Sequence, residues 1–285
     1  MNRAVKIAKN DACILLQGES GTGKDYMARA IHRESGRRSR PFIAINCASL
    51  PGELISSELF GYGPGAFTGA SRNGNIGKIE AANGGTLFLD EIGDMPLDLQ
   101  AILLRILEDK QVTRIGCTKS VTVDVRFIAA THKNLKELVK SGKFREDLYY
   151  RLSVFPLHLP PLRERRADLE QIIKGIMVTL SQKDGRPPIR LTPNAIKTLQ
   201  NYPWNGNLRE LRNVIERMVQ LHESDVIDIE HLGDYMDLSR EDGKLDEKGL
   251  LLSALERTSG NRAKAARELG ISRAALYRKL ERYGL

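Results

Sequence analysis

The chain alternates short apolar runs with longer segments in which apolar residues recur every three or four positions. The apolar runs have the length of buried strands and lie at 12–17, 42–45, 86–89 and 126–130. Helical periodicity occupies 24–35 and 97–109. Because strands that alternate with helices are joined by crossovers, this order predicts an α/β fold with a parallel sheet covered by helices.

The strand pattern stops after residue 161, and only helical patterns follow. They lie at 166–183, 193–201 and 207–221. Two of these helices begin with capping signals, since Thr192 precedes Pro193 and Asn207 is followed three residues later by Glu210. The pattern predicts a helical subdomain separate from the sheet.

The last part of the chain has its own pattern. A polar stretch at 233–246 predicts a linker, and three helical patterns follow in 247–285, the second capped by Asn261. Two short helices joined by a glycine turn at 270–272 are typical of a helix-turn-helix. The predicted core consists of Ala266, Leu269, Ile271, Leu276 and Leu280. The outer side of the final helix carries Arg273, Ala274, Tyr277, Arg278 and Lys279.

Composition narrows the class of protein. With 285 residues, 41% of them hydrophobic, the chain is long enough for about two domains. No apolar run approaches the roughly 18 residues of a membrane span, and the N-terminus lacks a signal-peptide pattern, so a cytoplasmic protein without membrane contact is predicted. Three widely spaced cysteines, Cys13, Cys47 and Cys117, argue against a disulfide framework or zinc site and are predicted as core residues.

The charge is unevenly distributed. The formal net charge is +8, and residues 262–285 contain seven Lys or Arg against two Glu, a net of +5. A basic end suggests binding to nucleic acid, although a run of charge is also typical of a solvated helix face.

Residues 18–25, between the first strand and the first helix, predict an ATP-phosphate loop. Its glycines allow successive N–H groups to turn toward a phosphate, Lys24 supplies positive charge, and the helix N-terminus adds to the same anion site. Asp25 stands where the general motif has the Ser or Thr that holds magnesium. The assigned residues are Gly18, Glu19, Ser20, Gly21, Thr22, Gly23, Lys24 and Asp25.

A second motif supplies carboxylates. The buried strand in residues 84–91 ends in Asp90 and Glu91. With ATP nearby, Asp90 is predicted to bind Mg²⁺ and Glu91 to orient the attacking water. Without the loop, the pair would equally be solvated acids at a strand end. Arg145 and Arg151 are candidates for an arginine presented to a neighbouring subunit's phosphate, and otherwise for surface residues.

With these motifs, the chain resembles a known protein family. Residues 1–233 resemble the AAA+ ATPase domain of bacterial enhancer-binding proteins, which activate sigma-54 RNA polymerase. The most specific match is Gly65, Ala66, Phe67, Thr68, Gly69 and Ala70. In that family this hexapeptide tips a loop that contacts sigma-54. Without the resemblance, the segment from Gly61 to Gly77 would be a flexible surface loop with an exposed phenylalanine.

The resemblance implies roles for further residues. Residues 18–25 become Walker A, and Asp90 and Glu91 become Walker B. The other implied roles are Asn46 as the switch that restrains Glu91, Thr131 and His132 as the first sensor, Arg145 and Arg151 as trans-acting fingers, and Arg209 as the second sensor.

The chain departs from the family pattern at several positions. The family usually has Glu in place of Asp25, Asn in place of His132 and Pro in place of Asn205. Residues 62–64, Tyr-Gly-Pro, also differ from the usual residues before the loop tip.

Residues 247–285 resemble the Fis-type DNA-binding domain that ends many such activators. This resemblance implies DNA contacts by Ser272, Arg273, Ala274, Tyr277, Arg278 and Lys279. The expected domains are an ATPase subdomain at 1–161, a helical lid at 162–232, a linker at 233–246 and a helix-turn-helix domain at 247–285. Because the family usually places a regulatory domain before the ATPase domain, the chain is expected to be a truncated form.

The favoured function is therefore a motor. A ring, a hexamer by resemblance, would bind enhancer DNA, with DNA-binding domains paired as dimers, and use ATP and Mg²⁺ to remodel the sigma-54 RNA polymerase holoenzyme. One alternative is a DNA-binding regulator whose nucleotide site only controls assembly. Another is an unfoldase or helicase of the wider ATPase class, which explains neither the hexapeptide nor the basic tail.

Overall fold

The computed structural model describes residues 6–49, 52–68, 71, 73–185, 189–222, 226–236, 255, 258, 261–268, 276, 277 and 280. The chain divides into two compact units. The first comprises Met1–Glu164 and Gly206–Glu210, and the second comprises Arg165–Asn205 and Leu211–Leu285. Within the described ranges, no helix has the length and apolar character needed to cross a bilayer.

The first unit alternates strands and helices. Its strands are β1 (Ile14–Gln17), β2 (Phe42–Asn46), β3 (Gly61–Tyr62), β4 (Asn75–Ile76), β5 (Thr86–Asp90), β6 (Gln111–Thr113), β7 (Ser120–Thr122), β8 (Arg126–Thr131) and β9 (Phe155–His158). Its helices are α1 (Lys24–Arg33), α2 (Gly52–Phe60), α3 (Lys78–Ala81), α4 (Leu97–Asp109), α5 (Leu135–Lys140) and α6 (Glu146–Leu152). The predicted strands and helices are confirmed to within about two residues at each end.

Five of these strands form one parallel sheet in the order β2-β5-β8-β1-β9. Successive side chains of a strand point to opposite faces, so the sheet separates two cores. Leu15 and Phe127 pack on the face that contacts α4, whereas Leu16 and Ile128 pack on the face that contacts α1. Burial on both faces explains why these strands are continuous apolar runs.

Strand β9 was not predicted from the sequence. It reads Phe-Pro-Leu-His and pairs with β1, with Pro156 opposite Leu15. Proline has no N–H to donate, which confines it to edge strands, and β9 is at the edge of the sheet. Because proline is unfavourable in most strands, the sequence pattern did not predict β9, which is recognised from its pairing with β1.

Two small antiparallel pairs, β3 with β4 and β6 with β7, lie in the segments that connect strands of the main sheet. The first pair lies at the base of the predicted sigma-54-contacting loop. The second lies between α4 and β8. Neither pair was predicted, because strands of two or three residues have no periodicity to detect.

The second unit is mainly helical, as predicted. Its elements are α7 (Leu169–Asp184), β10 (Arg190–Leu191), α8 (Pro193–Asn201), α9 (Asn207–Leu221, which starts in the first unit), β11 (Val226–Ile227), α10 (Ile229–Leu232) and α11 (Arg262–Glu268). Thr192 caps α8 by accepting a hydrogen bond from Ala195 N–H, and Asn261 caps α11 by accepting from Lys264 N–H. Two of the three predicted caps, those of Thr192 and Asn261, are therefore confirmed.

The predicted C-terminal core is only partly covered by the described residues. Ala266, Leu276 and Leu280 are buried, whereas Leu269 and Ile271 lie outside the described residues. Most of the predicted linker at 233–246 lies outside them as well. Of the three cysteines, Cys47 is buried in the core and the partly buried Cys13 packs against it. Cys117 is partly exposed, so its assignment to the core was wrong.

Candidate active site

The predicted nucleotide-site residues meet at one edge of the parallel sheet. The carboxyl ends of adjacent strands carry Asn46, Asp90 and Thr131, and the 18–25 loop follows directly after β1. Asn46 is in register with Asp90, and Gln17 is in register with Thr131. Open parallel sheets bind ligands at this edge, so the fold collects residues that are far apart in sequence.

The 18–25 loop is shaped around its lysine. Lys24 is only 6% exposed, and its Nζ donates to the carbonyls of Gly18 at 3.0 Å and Glu19 at 3.2 Å. Helix α1 begins after Gly23, whose φ of 91° lies in the left-handed region, and no side chain caps the helix. The first amides of α1 and the ammonium group are therefore available to an anion.

Glycine is required at position 21 by a close approach. Gly21 has a φ of 80°, and a Cβ built there would lie 2.4 Å from the carbonyl oxygen of Gly206. The loop also accepts a hydrogen bond through Gly21 O from Leu208 N–H at 2.9 Å. The 206–210 segment is thus packed directly on the loop.

Glu19 ties the loop to two other segments. Its carboxylate accepts two hydrogen bonds from Arg163, at 2.8 and 2.5 Å, and one from Asn207 Nδ2 at 3.2 Å. The Arg163 bonds, helped by the Asn207 amide, lower the pKa of Glu19 to about 2. Glu19 therefore carries its negative charge at neutral pH as part of the loop's support.

Asn207 corrects a sequence-based interpretation. Its φ of 54° is left-handed, and its side chain accepts from Leu162 N–H and donates to Ser20 O at 3.0 Å. Asn207 therefore does not cap α9 together with Glu210, as predicted; Glu210 instead accepts from Gly206 N–H at 2.8 Å. Asparagine tolerates the left-handed conformation better than most residues. That tolerance is the one feature of the sequence that could have indicated that Asn207 contacts the loop.

Arg209, the predicted second sensor, lies beside the loop. Its Nη1 donates to Ser20 Oγ at 3.1 Å. This bond holds the Arg209 guanidinium against the 18–25 loop, which also carries Lys24. The 206–210 segment that carries Arg209 contacts the loop through the Leu208 N–H, and the pairing of Arg209 with a bound phosphate stays a prediction.

Asp90 and Asn46 form a pair at the neighbouring strand ends. The side chain of Asp90 is half-buried, and burial, followed by the nearby charge of Glu91, raises its pKa. Asn46 Nδ2 lies 3.5 Å from Asp90 Oδ2. Asn46 therefore contacts Asp90 and not Glu91, and its role as a switch for Glu91 stays a prediction.

Glu91 is instead held by His132. Glu91 has a left-handed φ of 51°, and its Oε2 accepts from the backbone N–H of His132 at 3.2 Å and lies 2.7 Å from His132 Nδ1. Thr131 links this strand end to the loop, because its carbonyl accepts from Gly18 N–H at 3.3 Å. The first-sensor residues thus contact both the predicted water-orienting carboxylate and the loop.

The donor set at this edge suits Mg²⁺ with a nucleotide. Mg²⁺ in phosphate sites binds one or two carboxylates and keeps waters and phosphate oxygens as its other ligands. Asp90 offers a half-buried carboxylate, and the charge of Asp25 is close enough to help raise the pKa of Asp90. Within the described residues, no group of three His, Cys, Asp or Glu side chains could hold a metal alone.

Of the two predicted finger arginines, Arg145 immediately precedes α6 and Arg151 lies in its last turn. Arg145, 44% exposed, makes two hydrogen bonds to Asp147, at 3.1 and 2.7 Å, which raise its pKa, and borders an open cavity of about 530 Å³. Arg151 donates from Nη2 to the carbonyl of Leu107 at 3.0 Å. Both arginines are exposed, and their proposed contact with a neighbouring subunit stays a prediction.

The predicted partner-binding residues are partly described. In the hexapeptide, Phe67 is 46% exposed and Thr68 is exposed, and Gly69 and Ala70 lie outside the described residues. In the predicted DNA-binding set, Tyr277 is 51% exposed, which agrees with its predicted outward position. Ser272, Arg273, Ala274, Arg278 and Lys279 lie outside the described residues.

Comparison with known families covers almost the whole chain. Residues 1–158 match the Sigma-54 interaction domain, residues 163–248 the AAA+ ATPase lid domain, and residues 246–283 the Fis family of bacterial regulatory proteins. The first match alone spans more than half of the chain.

Individual relatives of the chain are also named as regulatory proteins. The chain is 47% identical over 289 residues to a signal-transduction and transcriptional-control protein of Clostridium beijerinckii, covering 98% of this chain and 46% of the relative. It is 46% identical over 297 residues to the regulatory protein AtoC of Escherichia coli, covering 98% and 64%. The chain thus spans about half to two thirds of the length of these relatives.

Solved structures of proteins with similar sequences have the same fold as this chain. NtrX from Brucella abortus in complex with ADP is 34% identical and superimposes with a TM-score of 0.75, covering 100% of this chain and 67% of that one. NtrX in complex with ATP is 37% identical, with a TM-score of 0.72 and coverage of 100% and 66%. With its sigma-54 interaction domain, AAA+ lid and Fis-type helix-turn-helix, the chain belongs to the family of sigma-54-dependent transcriptional regulators.

Proposed function

We propose that this protein is a ring-forming ATPase that uses ATP hydrolysis to remodel the sigma-54 RNA polymerase holoenzyme and open promoter DNA. The observation that carries the proposal is the combination of two features in one unit. The phosphate loop with Lys24 and the carboxylates Asp90 and Glu91 lie at the same sheet edge, and the exposed Phe67 and Thr68 lie in the hexapeptide that the resemblance assigns to sigma-54 contact.

The chemistry follows from the side chains of the site. Lys24 and the first amides of α1 bind the phosphates, and Arg209 reaches the same anion from the rim. Asp90, with Asp25 nearby, would hold Mg²⁺, which neutralises charge that develops on the phosphate oxygens. Glu91, aimed by His132, orients the attacking water.

A neighbouring subunit completes the site in this proposal. Arg145 precedes α6 and Arg151 lies on it, and both are exposed, so both are accessible to the phosphates of another copy. An arginine supplied in trans stabilises the charge of the transition state. This arrangement would make hydrolysis depend on assembly, and a hexameric ring is the expected assembly.

The C-terminal segment would bring the motor to DNA. The Fis-family match and the net charge of +5 in residues 262–285 support binding to enhancer DNA, with the final helix in the major groove. Ser272, Arg273, Ala274, Tyr277, Arg278 and Lys279 are the proposed contacts. Pairing of two such domains would suit a palindromic site.

The test is open-complex formation by purified sigma-54 holoenzyme on promoter DNA, with ATP and Mg²⁺. Wild type is compared with Thr68→Ala and with a matched control, Thr179→Ala, which alters an exposed threonine of the second unit. We expect wild type and the control to open the promoter. Thr68→Ala should hydrolyse ATP at the wild-type rate without opening it.

Two outcomes would contradict the proposal. Hydrolysis by wild type without opening would favour the second candidate, a DNA-binding regulator whose nucleotide site only controls assembly. A fall in ATPase activity that parallels the loss of opening in Thr68→Ala would show that the loop serves the nucleotide site and not sigma-54.

A further inference from the structure

The aromatic ring at the tip of the hexapeptide is already in contact with the base of its own loop. The ring of Phe67 packs edge-on against the ring of Tyr62, with centroids 5.0 Å apart and an interplanar angle of 61°. This is a favourable geometry for an aromatic pair. Phe67 is 46% exposed, so about half of its surface is covered.

The β6–β7 hairpin supports this docked arrangement. Its residue Ile115 donates its N–H to Gly61 O and accepts at its carbonyl from Gly63 N–H, both at 2.9 Å. These bonds form a parallel bridge between Tyr62 and Ile115. We call the surface formed by Tyr62, Gly63, Ile115, Gly116 and Cys117 the loop seat.

At two glycines of the loop seat, an added Cβ would lie too close to a neighbouring side chain. A Cβ added to Gly63 would lie 2.4 Å from Cys117 Sγ. A Cβ added to Gly116, whose φ is 74°, would lie 2.9 Å from the Cβ of Ala66. Glycine at these two positions therefore lets the loop and the hairpin tip pack closely without a shift of Cys117 or Ala66.

The hairpin is joined to the nucleotide site at both ends. On one side α4 precedes it, after the turn that follows Asp90 and Glu91; on the other side β8 follows it and ends at Thr131. Its tip is fixed by Arg114, which makes two hydrogen bonds to Glu80 on α3 at 2.9 and 2.7 Å. Helix α4 and strand β8 thus connect the hairpin to the strand ends of the nucleotide site.

We propose that Tyr62 is a positioning residue that holds Phe67 docked in the loop seat, and that the loop binds sigma-54 tightly only after Phe67 leaves the seat. This inference rests on the proposed function, and it assigns a role to a position where the chain differs from the family pattern. Aromatic pairs of this kind correspond to about a 2- to 12-fold bias toward the docked state.

The first test measures binding of purified sigma-54 by fluorescence anisotropy without nucleotide. The variants are Tyr62→Ala, which removes the ring, Tyr62→Phe, which keeps it, and Ile76→Ala, which shortens an exposed side chain on the paired strand β4. We expect Tyr62→Ala to bind about 2- to 12-fold more tightly than wild type. Tyr62→Phe and Ile76→Ala should match wild type. Equal or weaker binding by Tyr62→Ala would overturn the inference.

The second test approaches the loop seat from the opposite side. Gly63→Ala places a methyl group against Cys117 Sγ, and the double variant Gly63→Ala, Cys117→Ala removes the sulfur that it meets. Hydrogen–deuterium exchange is followed in peptides covering 61–68 and 111–117. Exchange should rise in Gly63→Ala and Tyr62→Ala and return toward wild type in the double variant. Unchanged exchange in both single variants would show that no such seat restrains the loop.

The two proposals fail differently. If wild-type protein binds no sigma-54 in any nucleotide state, the proposed function is wrong. The exchange experiment needs no sigma-54, so it still decides whether Tyr62 and the hairpin hold Phe67. If wild type opens promoters but Tyr62→Ala changes neither exchange nor affinity, only the loop seat is disproved.

Discussion

The imidazole Nδ1 of His132 lies 2.7 Å from Oε2 of Glu91, and the same oxygen accepts the backbone N–H of His132. Two contacts from one residue fix the direction of a carboxylate whose own backbone is left-handed. In the proposed hydrolysis Glu91 orients the attacking water, and since phosphoryl transfer depends on positioning and electrostatic stabilisation, the direction of this carboxylate would affect turnover.

Replacing His132 tests that relationship. We expect His132→Ala to lower kcat for ATP hydrolysis roughly 10- to 100-fold, because the Glu91 carboxylate loses its side-chain partner and a misplacement of about 1 Å has that effect. KM for ATP should change little, since His132 does not belong to the phosphate cradle. Steady-state kinetics separate the two constants. A rise in KM with unchanged kcat would assign His132 to ATP binding instead.

Removing the loop lysine should weaken nucleotide binding without unfolding the protein. Loss of a charge-assisted bond to phosphate is expected to weaken ATP binding roughly 10- to 100-fold in Lys24→Ala. Isothermal titration calorimetry with ATP measures the change, and the far-UV circular dichroism spectrum reports the fold. Lys136→Ala, an exposed lysine on α5, is the matched control. ATP affinity that is equal in the two variants would remove Lys24 from the site.

The Glu19–Arg163 pair predicts a pH dependence of stability. Glu19 has its pKa lowered from 4.5 to about 2, so its contribution is fully present above pH 4.5 and is lost as the pH falls toward 2. Because the pair is partly exposed, Glu19→Gln should lower the free energy of unfolding by only about 0.5–1 kcal/mol near pH 7. Urea titrations across this range measure the difference, which should shrink only below pH 4.5. A difference that already disappears between pH 7 and 5 would contradict this assignment.

The trans role of Arg145 can be tested by mixing subunits. Arg145→Ala and Glu91→Gln should each hydrolyse ATP slowly, with roughly a 10³-fold loss expected for the arginine. When the two variants are mixed, some interfaces combine an intact Glu91 with an intact Arg145, and ATPase activity should reappear. Mixed activity that stays at the sum of the two variants would place Arg145 outside the neighbouring site.

Binding of DNA by the C-terminal segment should depend steeply on salt. Each phosphate contact adds about 0.9 to the slope of log affinity against log salt, so Arg278→Ala should reduce the slope by about 1. Lys174→Ala, an exposed lysine of α7, should leave it unchanged. Anisotropy with labelled operator DNA at several salt concentrations gives the slopes. An affinity that is flat between low and moderate salt would argue against phosphate contacts.

The sequence alone was sufficient for the parallel sheet, the helical subdomain and the phosphate loop. These features depend on local patterns, namely continuous apolar runs, helical periodicity and glycine spacing, and such patterns can be read without knowing the neighbours of a residue. Asp90 and Glu91 were found because they lie at a strand end, and Lys24 because it follows the glycine loop at the start of α1.

Only the tertiary structure decided which side chains meet. Asn207 has a capping residue's sequence context, but the Glu19 carboxylate and the Leu162 N–H, both distant in sequence, draw its side chain to the loop. Likewise Glu91 is held by His132, and Phe67 by Tyr62 on a seat completed by the β6–β7 hairpin. Such pairs depend on strand register and on the close approach of separate segments, which residue spacing does not encode.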